Sequence, residues 1–347
     1  MKTGLCYWAA ALSIVFGATN SASACDLCAI YSSVDVQAAE PNSLKLSIAE
    51  QFTVFDKIQD TGAYAPNDDH QRMESSITQF VAEYDFNEKF GVQVVLPYIN
   101  RSFRRFEGGA RERGSESGVG DLTVLGKISP YNYRSGEVNV VWHLFAGIKL
   151  PTGDSDRLAE ELSESHHEDA GHEEVGHDEE MVSDHHSEFR HGDEEHGVAS
   201  AIHGHDLALG SGSYDFPFGG SVLVVADKWL ADADFSYTFR TGGDFGYRYD
   251  NDFMWRSGVG YYFLSSHTTT LYGKVSLSGE YKGKDEASGV RQDDTGIRSL
   301  FWGPSIGATF GDSLSAELGG EFPLDINNTG LQAVASYRIK AALTYRF

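Results

Sequence analysis

Beyond its leader, no stretch of this chain offers eighteen consecutive apolar residues, so a helical crossing of a bilayer is excluded. Basic residues are the second shortage. The 27 Lys and Arg stand against 51 Asp and Glu, a formal charge of -24, and a phosphate backbone would be repelled, so no nucleic-acid partner is expected. Proline is held to 8 residues and cysteine to 3 among 347, which excludes a proline-rich linker protein and a disulfide-dense scaffold. No glycine-rich phosphate loop, HExxH or GxSxG occurs, and the chain is not expected to be an enzyme.

What is present begins at the amino terminus. Lys2 is followed by the apolar run "LCYWAAALSIVFGA" and then "ASAC", the charged, hydrophobic and small-residue order of a secretory signal peptide. Residues 1–24 are assigned to it. Cleavage after Ala24 removes Cys6 and starts the mature chain at Cys25, leaving "CDLC" in a periplasmic segment, 25–42. Cys25 and Cys28 admit three readings: a local disulfide, a thiolate metal site helped by the free amine of Cys25, or lipidation of Cys25.

The carboxyl terminus, "YRIKAALTYRF", puts Tyr337, Ile339, Ala341, Leu343, Tyr345 and Phe347 on one face and Arg338, Lys340, Thr344 and Arg346 on the other. The same alternation of two recurs from Trp229 to Arg240 and from Leu271 to Lys282. An aromatic-rich face suits lipid, and a face with charges of both signs suits a wet or salt-bridged lumen. The expected fold is therefore all-β: an antiparallel transmembrane β-barrel of about 12 strands over 43–347, with the outer-membrane lipid and lipopolysaccharide around it. Its last strand, ending at Phe347, is the element that the outer-membrane assembly machinery would recognise. The strand spans read as 43–56, 75–86, 90–100, 118–129, 137–150, 210–225, 229–241, 246–263, 268–282, 296–310, 313–323 and 332–347. Short connections alternate with longer ones, so an even strand count puts both ends of the chain in the periplasm and the long connections outside the cell.

The barrel is interrupted at 155–208 by an acidic, histidine-rich segment, expected to be a long disordered outer loop. Residues 160–206 hold sixteen Asp and Glu against one Arg. Ten of the thirteen histidines fall here, and the pattern His-His, four residues, His, four residues, His is written twice. The candidate metal ligands are His166, His167, His172, His177, His185, His186, His191, His196, His203 and His205, together with Cys25 and Cys28. Imidazole beside carboxylate suits zinc first, with copper or nickel as alternatives. Chain flexibility would let two to four rings gather around one ion, giving capture and buffering in metal uptake or efflux. The alternative is a solvated acidic loop, or one that holds calcium through carboxylates alone.

"LPYINR" (96–101), "GVGDLTVLGKI" (118–128), "GIKLPTGD" (147–154) and "GSGSYDFPFGGS" (210–221) resemble the recurring strand motifs of the outer-membrane transporter-like family named for the meta-pathway of phenol degradation. The resemblance covers about residue 40 to the end and departs at the histidine-rich insertion. It implies an outer-membrane channel, often for hydrophobic compounds. Two functions are thus carried forward: a channel whose outer loop binds divalent transition metal, and a channel for small hydrophobic compounds in which the loop is incidental. A non-conducting surface sensor displaying the loop is a third. In the second outer loop Arg104, Arg105, Arg111 and Arg113 either contact lipopolysaccharide phosphates or hold the acidic insertion over the pore. His143 and His267 fall on or near strands and are read as structural; they are the histidines that a barrel enzyme would have to use.

Overall fold

The alternation in sequence becomes an alternation in burial. In β1 (Ser43–Asp60), Ser43, Lys45, Ser47 and Ala49 are buried while Leu44, Leu46 and Ile48 are exposed, so each second side chain is directed to the interior. The computed structural model describes residues 41–107, 110–136, 138–162 and 199–347. Eleven further wall strands follow: β2 (Arg72–Asp85), β3 (Phe90–Glu107), β4 (Leu122–Ile128), β5 (Val138–Leu150), β6 (Phe216–Ala226), β7 (Trp229–Phe239), β8 (Asp252–Ser265), β9 (Thr269–Lys282), β10 (Ile297–Phe310), β11 (Leu314–Asn328) and β12 (Gln332–Arg346). Each pairs antiparallel with the next, and β1 pairs with β12 from Lys45↔Arg346 to Gln59↔Gln332, closing a 12-strand barrel. Closure leaves no row of wall N–H and C=O groups unpaired, the condition for backbone to sit in hydrocarbon. Among the described residues no helix is long and apolar enough to cross a membrane.

The outer surface is apolar all round, with Leu46, Phe80, Leu144, Phe218, Val275 and Leu343 among its exposed side chains. Near the end that holds the chain termini, Tyr84–Phe86, Trp229–Tyr261 and Tyr345–Phe347 form edge-on aromatic pairs, as an interfacial girdle requires. A surface this apolar has no place in water and fits lipid. Two glycines keep the outer face of the wall tight: a Cβ on Gly279 would run into the Trp255 indole, and one on Gly273 would fall 2.9 Å from the Phe263 ring.

Inside, charge meets charge. Lys45 lies 2.9 Å from Glu83 and 3.3 Å from Asp85, with Lys127 bonded to the same Glu83. Lys274 bridges Asp232 and Glu317, Arg256 holds Asp234 at 3.1 Å, and Arg338 and Lys340 hold Glu280 and Glu321. The expected salt-bridged lumen is observed.

Three features correct the sequence expectation. Residues 210–215, read as the start of a strand, fold inward before β6 begins at Phe216. The strand read at 118–129 is broken: residues Ala110–Val119 pair with the outer half of β3, and β4 starts only at Leu122. The break lies opposite Pro97, which has no N–H to give to the ladder, and it turns Asp121 inward, 2% exposed. The described ends of the 155–208 insertion, 155–162 and 199–208, are not an open excursion. They enter the barrel and carry several of its most buried residues, Leu158, Ala201, Ile202 and Leu207 among them.

Candidate functional site

The two arms that lead into and out of the insertion form a plug in the outer half of the lumen, the half opposite the chain termini. The first arm contains a 3-10 turn, Asp156–Ala159, and the second a single helical turn, Gly204–Leu207. Apolar contacts seat the plug against the wall: Ile202 and Leu207 pack on Met73 and Phe103, and Leu209 packs on Ile77 and Ile99. On the other side Leu158 and Ala208 meet Tyr247, Tyr249 and Ala287, which belong to outer loops folded over the mouth. Ala333 of β12 donates its N–H to the Ala201 carbonyl at 2.7 Å, so the plug reaches from β2 and β3 across to β12.

Polar groups fix its position. Arg101, 1% exposed, donates to the carbonyls of Asp206 and Ala208 at 2.6 and 2.8 Å. Arg105, equally buried, pairs with Glu112 and with Glu160 of the first arm. Of the two readings of the second-loop arginines, Arg105 therefore realises the one in which the insertion is held, not lipopolysaccharide contact. Arg111, in contrast, is more than half exposed and meets Asp69. Asp121 accepts from Gly153 N–H at 3.0 Å and from Ser211 N–H and hydroxyl at 2.8 Å each, and lies 3.3 Å from Lys149. Asp215 accepts from the Ser213 hydroxyl at 2.8 Å and from Arg240 at 2.6 Å.

These bonds give the sequence motifs a physical purpose. Asp121 comes from "GVGDLTVLGKI", Gly153 from "GIKLPTGD", and Ser211 and Asp215 from "GSGSYDFPFGGS"; together they clasp both arms where they leave the wall. The clasp is tight enough to demand glycine, since a Cβ on Gly210 would lie 2.6 Å from the Gly153 backbone. Gly212 adopts φ +64° against Asp244, a conformation that a side chain would strain.

Below the plug, toward the termini, the lumen holds a cavity of about 200 Å³. Ile77, Leu125 and Phe145 line it on the β2–β5 side, and Arg256, Glu280, Glu317, Glu321 and Lys340 line it on the β8–β12 side. Gln79, Glu83, Gln93, Lys127 and His143 share the first side with the three apolar residues, so apolar and polar groups are interleaved around the chamber.

The predicted metal ligands divide. Cys25, Cys28, His166, His167, His172, His177, His185, His186, His191 and His196 lie outside the described residues. His203 and His205 lie within them, and both are buried in the plug. His205 Nδ1 is 2.9 Å from Glu161 Oε1, which also accepts the His205 backbone N–H, and the Tyr249 hydroxyl donates to the His205 carbonyl. Burial acts to lower the His205 pKa, but Asp206 and Glu161 outweigh it and hold it well above the usual histidine value. Burial likewise tends to raise the Glu161 pKa, and His205 overrides it and brings it to about 2. Of the three histidines outside the insertion, His70 lies between β1 and β2, His143 shares a 2.7 Å hydrogen bond with Ser129, and His267 is exposed on the turn between β8 and β9.

Comparison with known proteins agrees with this architecture. Residues 55–166 match the family described as "Putative MetA-pathway of phenol degradation". The match spans about a third of the chain, and the closed 12-strand barrel around it is of the outer-membrane kind. Its fold is similar to that of the COG4313 outer membrane channel from Pseudomonas putida F1, at 16% identity and a TM-score of 0.61, covering 92% of this chain and 100% of that one. A more distant likeness, with TM-score 0.41 and 11% identity over 87% of this chain and 99% of the other, is to the beta domain of the Bordetella autotransporter Brka. No curated protein matches the chain.

Proposed function

We propose that this barrel is an outer-membrane channel for small, largely apolar molecules of the size of a single aromatic ring, closed at its outer mouth by the plug. The observation that carries the reading is the chamber beneath the plug, whose lining includes Ile77, Leu125 and Phe145 among paired charges. An apolar cavity of about 150 Å³ accommodates benzene, and the space here is about 200 Å³ with Ile77, Leu125 and Phe145 along one side. Most of the charges around it are paired, Glu83 with Lys45 and Lys127, Glu280 with Arg338, Glu317 with Lys274 and Glu321 with Lys340, while the polar groups can still offer hydrogen bonds to a hydroxyl on a ring. The name of the matched family and the description of the Pseudomonas putida relative as a channel support the same assignment.

A passage test follows from the apolar part of the lining. In cells with an intact lipopolysaccharide leaflet, the full chain is expected to raise uptake of a radiolabelled phenol several-fold over an empty vector. Phe145→Gln is expected to remove most of that gain without lowering potassium chloride conductance in a planar bilayer. Uptake equal to the vector control, or uptake indifferent to Phe145→Gln, counts against the assignment.

A further inference from the structure

The plug contains a cluster that the channel reading does not use. One donor atom from each of His203, His205 and Asp206 lies within 4.8 Å of the other two. The rings of His203 and His205 stack with centroids 5.5 Å apart. In each ring one nitrogen faces a carboxylate: His203 Nε2 is 3.3 Å from Asp294 Oδ2, and His205 Nδ1 is 2.9 Å from Glu161 Oε1. The other nitrogen differs. His205 Nε2 stands 3.6 Å from Asp206 Oδ1, and His203 Nδ1 is buried with no hydrogen-bond partner. A buried imidazole nitrogen with nothing to bond is costly unless something occupies the space before it.

We propose that His203 Nδ1, His205 Nε2 and an Asp206 carboxylate oxygen bind one divalent transition-metal ion of the zinc class at the root of the plug. Asp294 and Glu161 orient the two rings from behind. This is the arrangement that ligating histidines adopt, one ring nitrogen on the ion and the other on a carboxylate that fixes tautomer and orientation. A tetrahedral ion with bonds near 2.0–2.2 Å keeps its donors roughly 3.3 Å apart, so the donors need close by at most about 1.5 Å. Three carboxylates around two imidazoles leave the cluster with excess negative charge, which a divalent ion offsets better than a single proton. Three protein donors leave one position for water, so the ion would exchange. The ligands come from the second arm, Glu161 from the first and Asp294 from an outer loop. One ion would therefore tie three segments of the closed mouth together.

The proposal does not rest on the channel assignment, since a barrel that passes nothing could still bind the ion. The test uses the full chain with His166, His167, His172, His177, His185, His186, His191 and His196 replaced by Asn, so that the remaining insertion contributes no imidazole. Calorimetric titration with zinc is expected to show one saturable site, and cobalt in its place a visible band of low-symmetry, four-coordinate type. His203→Asn with His205→Asn should abolish both signals while the barrel keeps its heat-modifiable migration. Glu161→Gln, which leaves all three donors in place, should weaken zinc roughly 10–100-fold. Absence of a saturable site in the eight-Asn chain, or a site that survives the double substitution, overturns the assignment. Zinc affinity unchanged by Glu161→Gln would overturn the role given to Glu161.

Discussion

Strand β1 and the second arm of the plug both turn a buried face to the lumen, yet they are held there in different ways. β1 is paired along both edges, to β2 from Ser43↔Asp85 to Phe55↔Met73 and to β12 from Lys45↔Arg346 onward. Its register is a long ladder of backbone bonds in which any single side chain matters little. The arm at 199–215 has no such ladder. It is attached through a handful of side chains, chiefly Arg101, Asp121, Gln71 and Leu209. Wall and plug should therefore fail separately: side-chain changes that release the plug should leave the barrel closed.

Asp121→Ala should give the largest separation. It removes the acceptor for Gly153 and Ser211 and strands Lys149, whose side chain is 10% exposed. Removing one partner of a buried pair costs about 3–5 kcal/mol. That cost should fall on plug docking alone. The expected result is a higher and noisier conductance, and rapid proteolysis within 151–215, with unchanged heat-modifiable migration. Loss of barrel folding would show that the clasp is part of the wall.

Leu209→Ala should act in the same direction and less strongly. Leu209 is 5% exposed and packs on Ile77 and Ile99, so truncation should cost on the order of 2–3 kcal/mol, the low part of the range for a buried leucine, because the chamber beneath lets the site relax. Partial opening is expected in single-channel traces, between the unaltered protein and Asp121→Ala. An effect equal to that of Asp121→Ala would mean that apolar packing, not the clasp, sets plug closure.

The wall was legible in the sequence for the same reason that it is robust. A strand side chain faces in or out according to its neighbours two residues away, so Ile339, Leu343 and Tyr345 could be placed on lipid without knowing any partner. The even count of strands then put the insertion at the end opposite the termini. The plug was not legible, because its decisive contacts join residues as far apart as Asp121 and Ser211, 90 positions. Composition also misled: sixteen acids within 160–206 made the whole insertion read as solvated. A signal was nonetheless present. "ASAIHGHDLALG" (199–210) is largely apolar and carries no Glu, Lys or Arg, unlike the run before it, and Ala201, Ile202, Leu207 and Leu209 within it proved to be core. Of the predicted ligands, His203 and His205 are those within this apolar stretch, and both are buried with it.

The smallest expected effect sharpens the contrast from the wall side. Arg298 and Asp325 form a 3.0 Å ion pair between β10 and β11, with side chains 57% and 56% exposed. Arg105 and Glu160 form one at 2.8 Å in which the arginine is 1% exposed. Length and chemistry are nearly the same, and the surroundings differ. Solvent and salt screen the first pair, and the backbone ladder from Ile297↔Asn328 to Phe310↔Leu314 already fixes the two strands that carry it. Arg298→Ala should thus change unfolding free energy by no more than about 1 kcal/mol and leave conductance as it was. Denaturant unfolding in detergent micelles measures the first quantity, and bilayer recording the second. A loss approaching that of Asp121→Ala would mean that rim charges hold this barrel as firmly as lumen charges do, and the division between a backbone-held wall and a side-chain-held plug would no longer stand.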